Sequence, residues 1–504
     1  MKKSIQLPLQ TISLTVAFMM WVLISSLLPN IKGDIQLTPT QASWVTAIPV
    51  ILGSILRVPI GFYTNRFGSR SLFVFSFIIL LVPVAYLSYA HSFLDLMISG
   101  FLLGVGGATF SIGVTSLPKY FPKEKHGTIN GIYGVGNLGT AVTTFFAPIL
   151  ASIVGWNITV RLCLILLIVF AALNFIFGDN KEKREKHSLS EQFKGVYKNE
   201  KLWFLSIFYF ITFGVFVAFT VYLPNFLVSS LDLSKVDAGI RTAGFIVIAT
   251  LIRPVGGYLS DKFNPYGVLM FIFAGLTLSG VLLSFSLNLP LFTVGCLTIA
   301  VCAGIGNGAV FKLVPLHFSK QGGIVNGIVA AAGGLGGFFP PLILTTLYGI
   351  TGHYAIGFMA LSESALASFI LVIWMAYREK LQLSKQIVDS TADGIMVTDL
   401  NGHIQSVNRA FTLVTGYREE EVTGKNVNIL SSGKQDQSFY KTFWTSLREK
   451  GNWQGEIINK RKSGEIYQEL LTVNTLEDSQ GDPQGFVGIF SDVSKIEGNN
   501  PQKV

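Results

Sequence analysis

Twelve segments of this chain are each long and apolar enough to cross a bilayer, and that limits the fold more than any other feature. A crossing helix needs about 20 predominantly apolar residues. Only helices and closed barrels satisfy their own backbone polar groups in hydrocarbon. Segments near 9–30, 44–64, 70–90, 94–117, 127–150, 159–178, 202–228, 237–260, 266–286, 290–312, 323–348 and 354–377 meet that length. The expectation is an all-α polytopic membrane protein. Half of the 504 residues are hydrophobic and only 13% are charged, a composition outside the usual range of soluble domains. The first segment lacks a small-residue cleavage site, so it reads as a span and not as a removed signal. Cys163, Cys296 and Cys302 all fall inside spans, without metal-ligand spacing.

Lys2, Lys3, Arg66, Arg70, Lys119, Lys123, Lys125, the run "KEKREK" at 181–186, Lys262, Lys320 and Arg378 fall on one side of this arrangement. The opposite loops, near 31–43, 91–93, 151–158 and 287–290, are nearly free of Lys and Arg. The positive-inside bias puts both termini in the cytoplasm. The net charge of +9 reflects that bias, so it gives no sign of a nucleic-acid partner. "KEKREK" reads as a solvated linker within 179–201. It separates an N-terminal six-helix half, 1–178, from a C-terminal half, 202–377.

Near residue 380 the character changes. Residues 384–497 are densely charged, carry about four net negative charges and contain no segment able to span. "GIMVTDLNGHIQSVN" reads as two strands around an Asn401-Gly402 turn. A helix follows near "RAFTLVTGY", then three alternating strands with turns at Ser463-Gly464 and Gly481-Asp482-Pro483. The expectation is a soluble α+β domain over 389–497, joined to the last span by a charged, helix-like connection at 378–388.

The membrane part repeats itself. "LRVPIGFYTNRFGSR" at 56–70 matches "IRPVGGYLSDKFNPY" at 252–266, aligning Arg57 with Arg253, Gly61 with Gly257, Asn65 with Asp261 and Arg66 with Lys262. "GVGGATF" at 104–110 resembles "GIGNGAVF" at 304–311, and Asn130-Gly131 matches Asn326-Gly327. Two related halves imply a carrier with a site between them. Arg57 and Arg253 lie inside spans two and eight, where a charge costs at least about 2.5–3.5 kcal/mol on insertion scales. One reading has each arginine snorkelling to the interface or pairing with a nearby acid. No Asp or Glu is available in the inner spans, so the stronger reading is an anion site. Guanidinium forks suit a planar oxyanion.

"NGIYGVGNLGTAVTTFFAPIL" at 130–150 is apolar enough to span but rich in glycine. Such small-residue faces let helices approach closely, and Asn137 could offer its amide to a ligand. Phe145, Phe146, Phe338 and Phe339 read as packing or as walls of the cavity. No nucleophile–base pair stands out, so an enzyme is not expected.

"GIYGVGNLGTAV", "GIVAAAGGLGGFFPP" and "YFITFGVFVAF" resemble signatures of the NarK-type nitrate/nitrite porters of the major facilitator superfamily, over essentially all of residues 1–380. The resemblance implies a twelve-span major facilitator fold in a bacterial plasma membrane. It also implies nitrate uptake or nitrite extrusion, with no cofactor for transport. Its binding residues correspond to Arg57, Arg253, Asn137 and Tyr209, with Gly136, Gly333, Gly334, Gly336 and Gly337 nearby. Its gating-loop motif corresponds to Gly61, Arg66, Gly68 and Arg70 in the first half, and to Gly257, Asp261 and Lys262 in the second. Asn65 stands where the first loop usually has an acid, which weakens the expected charge relay there. Anion exchange is expected over proton symport, because Glu363 is the only obvious acid well inside a span.

"NRAFTLVTGYREEEVTGKN" and "GNWQGEIINKRKSGEIYQELLTV" resemble a PAS sensor domain. Its ligand stays open between a noncovalent flavin and an empty pocket, and His403 reads as an exposed turn residue. A cytoplasmic signalling partner or a second PAS copy are the partners implied. Two other readings stay in view: a nitrate receptor reporting through the PAS domain, and a porter for another small anion.

Overall fold

A computed structural model describes residues 3–184, 189–285, 288–319 and 321–494. Lys2, the last two residues of "KEKREK", residue 287 of one opposite loop, Lys320 and the tail positions 495–497 lie outside the described residues. Among the described residues, eleven helices are long and apolar enough to cross a membrane, or twelve if the bent pair Trp44–Ile55 and Arg57–Phe67 is one span. The chain divides into two compact units between Met375 and Ala376.

Span two consists of Pro39–Ile55 and Arg57–Phe67, bent by 42° at Leu56. Span eight consists of Lys235–Leu251 and Arg253–Lys262, broken at Ile252. Prolines explain both breaks. A proline has no N–H to donate, and its ring clashes with the carbonyl four residues back. Pro59 acts on Ile55 and Pro254 on Thr250. Each break leaves an arginine as the first residue of the following helix. The two breaks are 196 residues apart, the interval of the sequence repeat.

Span five is interrupted too. His126–Gly134 and Leu138–Val154 are joined by a 3-10 turn, Val135–Asn137. The Leu138 N–H bonds to the Val135 and Gly136 carbonyls, so the Gly134 carbonyl is left outside the helical ladder. Its counterpart, span eleven, runs as one helix from Gly322 to Thr351.

One expectation changes. Glu182, in the run read as a solvated linker, is buried. Gly68, at φ 84°, starts a new helix at Ser69, whose first N–H groups have no intrahelical partner. Glu182 accepts from Ser69 N at 2.7 Å and Ser69 Oγ at 2.8 Å, and pairs with Lys119 at 2.9 Å. The connection at 378–388 is helical and continues span twelve within Ala355–Ser390.

The second unit contains a five-stranded antiparallel sheet: β1 Gly394–Asp399, β2 Ile404–Val407, β3 Asn452–Lys460, β4 Ile466–Glu477 and β5 Pro483–Asp492, in the order β2-β1-β5-β4-β3. The turns fall where glycine supplies positive φ, at Gly402, Gly464 and Gly481. Phe411, Val422, Leu447, Leu471, Val473 and Phe490 form its core. His403 is exposed and lies 3.1 Å from Asp399.

Candidate functional site

Arg57 and Arg253 are 1% and 2% exposed, and among the described residues no carboxylate pairs with either. Their hydrogen bonds follow the repeat. Arg57 Nη1 donates to the Ala330 carbonyl at 2.6 Å, and Arg253 Nη1 donates to the Gly134 carbonyl at 3.1 Å. Ala330 and Gly134 are themselves 196 residues apart. Each arginine therefore reaches into the opposite half, onto equivalent backbone. Their other bonds differ: Arg57 Nε donates to Gly107 O at 3.1 Å, whereas Arg253 Nη2 donates to the Tyr209 hydroxyl at 3.4 Å.

The Phe213 ring sits between them. Each guanidinium carbon is 5.4 Å from its centroid, so the two carbons are no further apart than twice that distance. Phe110 and Trp21 also face Arg57, and Phe216 faces Arg253. Tyr209 stacks on Phe213 at 5.1 Å and meets Phe311 edge-on at 4.8 Å. These ring faces attract the cations without neutralising them.

Tyr209 thus lies beside Arg253. Asn137 is buried and adjacent, but its Nδ2 donates at 2.6 Å to the same Gly134 carbonyl that Arg253 uses. Gly333 allows a close approach: any Cβ there would strike the Tyr209 ring. A Cβ on Gly334 would strike Ser54 Oγ and lie 3.2 Å from Arg57 Nη1. Gly136 faces away from the arginines and packs on Leu14. Gly336 and Gly337 pack on Phe210 and Val217 of span seven.

Phe145, Phe146 and Phe339 are exposed, and the rings around the arginines are others. Phe110, Phe213 and Phe311 were not singled out from the sequence. A signal was present, since Phe110 and Phe311 end the two matching glycine motifs, and they meet at 5.3 Å.

At the Lys/Arg-rich end the halves cross-connect. Asp261 accepts from Gly127 N at 2.9 Å and from Thr128 N and Oγ1 at 2.6 and 2.7 Å. It thereby caps span five of the other half, and it pairs with Lys312 at 2.7 Å. Asn65 occupies the equivalent place against Gly323 at the start of span eleven. Gly61 and Gly257 are held against the Gly323 and Gly127 carbonyls respectively. Arg66 and Lys262 are exposed over Phe67 and Phe263, and Arg70 lies over Phe175. Asp261, Asn65 and the two glycines, not the exposed basic residues of the motif, make these crossing contacts.

A body of two six-span halves closing on a buried cationic centre is the architecture of a secondary transporter. Residues 11–341 match the Major Facilitator Superfamily, and the chain belongs to that family; residues 383–493 match the PAS fold. The nitrite extrusion protein of Bacillus subtilis (strain 168) is 64% identical over 381 residues, covering 76% of this chain and 96% of that protein. The probable nitrate transporter NarT of Staphylococcus haemolyticus (strain JCSC1435) is 54% identical over 369 residues, covering 73% and 96%. A human organic anion transporter of known structure aligns at TM-score 0.62 and 13% identity, over 74% of this chain and all of that one.

Proposed function

We propose that this chain carries nitrate and nitrite across a bacterial plasma membrane by alternating access, exchanging one anion for the other. The observation that carries the reading is the pair of buried, repeat-related arginines without a carboxylate partner. Nitrate and nitrite are planar, singly charged and acceptor-only, so guanidinium and phenol donors suit them. The 64% identity to a nitrite extrusion protein supports the same substrates. An empty centre holds two repelling charges, which opposes closure, and one bound anion relieves that repulsion. Exchange follows from this. Glu363 is exposed on span twelve, away from the arginines, which argues against proton symport through it. The Lys/Arg bias supports cytoplasmic termini, and the PAS unit would then regulate from the cytoplasm. The chemistry is carriage without bond-making, so the chain is not an enzyme.

Proteoliposomes test this. Labelled nitrate should enter vesicles preloaded with nitrite and fail to enter anion-free vesicles under a pH gradient. Uptake into anion-free vesicles that Glu363→Gln abolishes would replace exchange with symport. Absence of uptake in both, with saturable nitrate binding, would make the chain a receptor. Truncation after Lys380 should leave nitrate affinity intact.

A further inference from the structure

We propose that the Ser54 hydroxyl donates directly to the anion held by Arg57. The inference rests on the anion-carrier reading above and adds a contact to that site.

Many hydroxyls on the helices of this molecule bond back to the carbonyl four residues earlier. Thr64, Thr212, Thr242 and Thr277 do so at 2.7–3.0 Å. Ser54 does not. It is 1% exposed and its Oγ has no hydrogen-bond partner among the described residues. Its repeat counterpart Thr250, 0% exposed, is unpartnered in the same way. Ser111 and Ser260 are also buried without a partner among the described residues, but of these four hydroxyls only Ser54 and Thr250 sit one turn before an arginine, at the proline-induced breaks of spans two and eight. A buried polar group without a partner is costly, and its appearance at both equivalent places suggests that a ligand completes it.

The surroundings point the same way. The position a Cβ would take on Gly334 is in collision with Ser54 Oγ and 3.2 Å from Arg57 Nη1, so hydroxyl and guanidinium flank one point. Arg57 gives Nε and one Nη1 proton to backbone carbonyls, and the second Nη1 proton has no partner among the described residues. A hydroxyl proton and that Nη1 proton match two oxygens of a small planar oxyanion, which accepts and never donates. Thr250 would offer the same donor beside Arg253.

The test uses the full chain in detergent, with nitrate as the probe, and reads affinity by calorimetry and anion-free thermal unfolding. Ser54→Ala should bind nitrate at least about 10-fold more weakly, the effect of one hydrogen bond to a charged acceptor. Its anion-free unfolding temperature should hold or rise, because an unsatisfied group has been removed. Ser54→Cys, close in size and a poor donor, should behave likewise and serves if the alanine variant does not fold. Unchanged affinity in a folded variant overturns the proposal. So does a loss of affinity matched by a lower anion-free unfolding temperature, the signature of a packing role. If the unaltered chain shows no saturable nitrate binding, the carrier reading itself fails and this contact falls with it.

Discussion

Arg461 in the PAS unit and the Arg57–Arg253 pair in the membrane unit are all withdrawn from solvent, yet they are satisfied in opposite ways. Arg461 lies 2.7 Å from Asp492 and 3.2 Å from Glu465, and its guanidinium stacks 4.2 Å from the Tyr467 ring centroid. It also donates to the Val414 carbonyl. Its charge is neutralised within the fold. Arg57 and Arg253 have backbone carbonyls, a tyrosine and ring faces, but among the described residues no acid. A buried charge is normally paired because desolvation is so unfavourable. The proposed function rests on that contrast: two arginines without an acid among the described residues are the ones proposed to take a counter-ion from outside.

The contrast breaks most easily at the arginines themselves. Arg57→Lys and Arg253→Lys keep the charge but lose the fork. Two lost charge-assisted hydrogen bonds, at about 1.5–3 kcal/mol each, should lower nitrate/nitrite exchange in proteoliposomes by at least about 100-fold. Arg461→Lys should leave nitrate affinity unchanged. Equal losses in all three variants would erase the distinction.

A second lever lies in the PAS unit, where one acid is buried without an ion pair among the described residues. Glu469 faces the core of β4, bonded through one oxygen to Asn459 at 2.8 Å, with the other oxygen unpartnered. Burial pushes its carboxyl up to about 7, from an ordinary value of 4.5. A raised carboxyl contributes stability that is complete below the unfolded value and is lost as pH rises through the folded one. The PAS unit should therefore weaken between pH 4.5 and about 7, by a few kcal/mol at about 1.4 kcal/mol per unit. Hydrogen exchange over β3–β5, corrected for intrinsic rates, should show that slope, and Glu469→Gln should flatten it. A slope unchanged by the substitution would mean that another group governs it.

The smallest expected effect separates the two arginines from each other. Tyr209→Phe removes the hydroxyl that only Arg253 contacts, a neutral group worth about 0.5–1.5 kcal/mol. Nitrate affinity should fall by about 3- to 10-fold. A 100-fold fall would give the tyrosine the weight of an arginine.

Much of this was legible in the sequence, for reasons that differ by element. The spans follow from hydropathy alone. The equivalence of Arg57 and Arg253 follows from the repeat, and the PAS turns follow from Gly402, Gly464 and Gly481, whose positive φ few other residues tolerate. The ring cage was not legible, because a phenylalanine in a span looks the same facing lipid or facing Arg57. Nor was the bond from Asn137 to Gly134, which depends on a 3-10 turn that frees one carbonyl. The burial of Glu182 depends on which helix start lies beside it, and local composition does not record that.

The central claim is that Arg57 and Arg253 together wait for one anion. Calorimetric titration of the full chain with nitrate tests it most directly, run on the unaltered protein, both single lysine variants and the double variant. The account predicts one nitrate per chain, a large loss of affinity in either single variant, and a double variant little worse than the singles, because both residues serve the same ion. Near-normal affinity in both folded single variants, or two nitrates bound independently per chain, would contradict it.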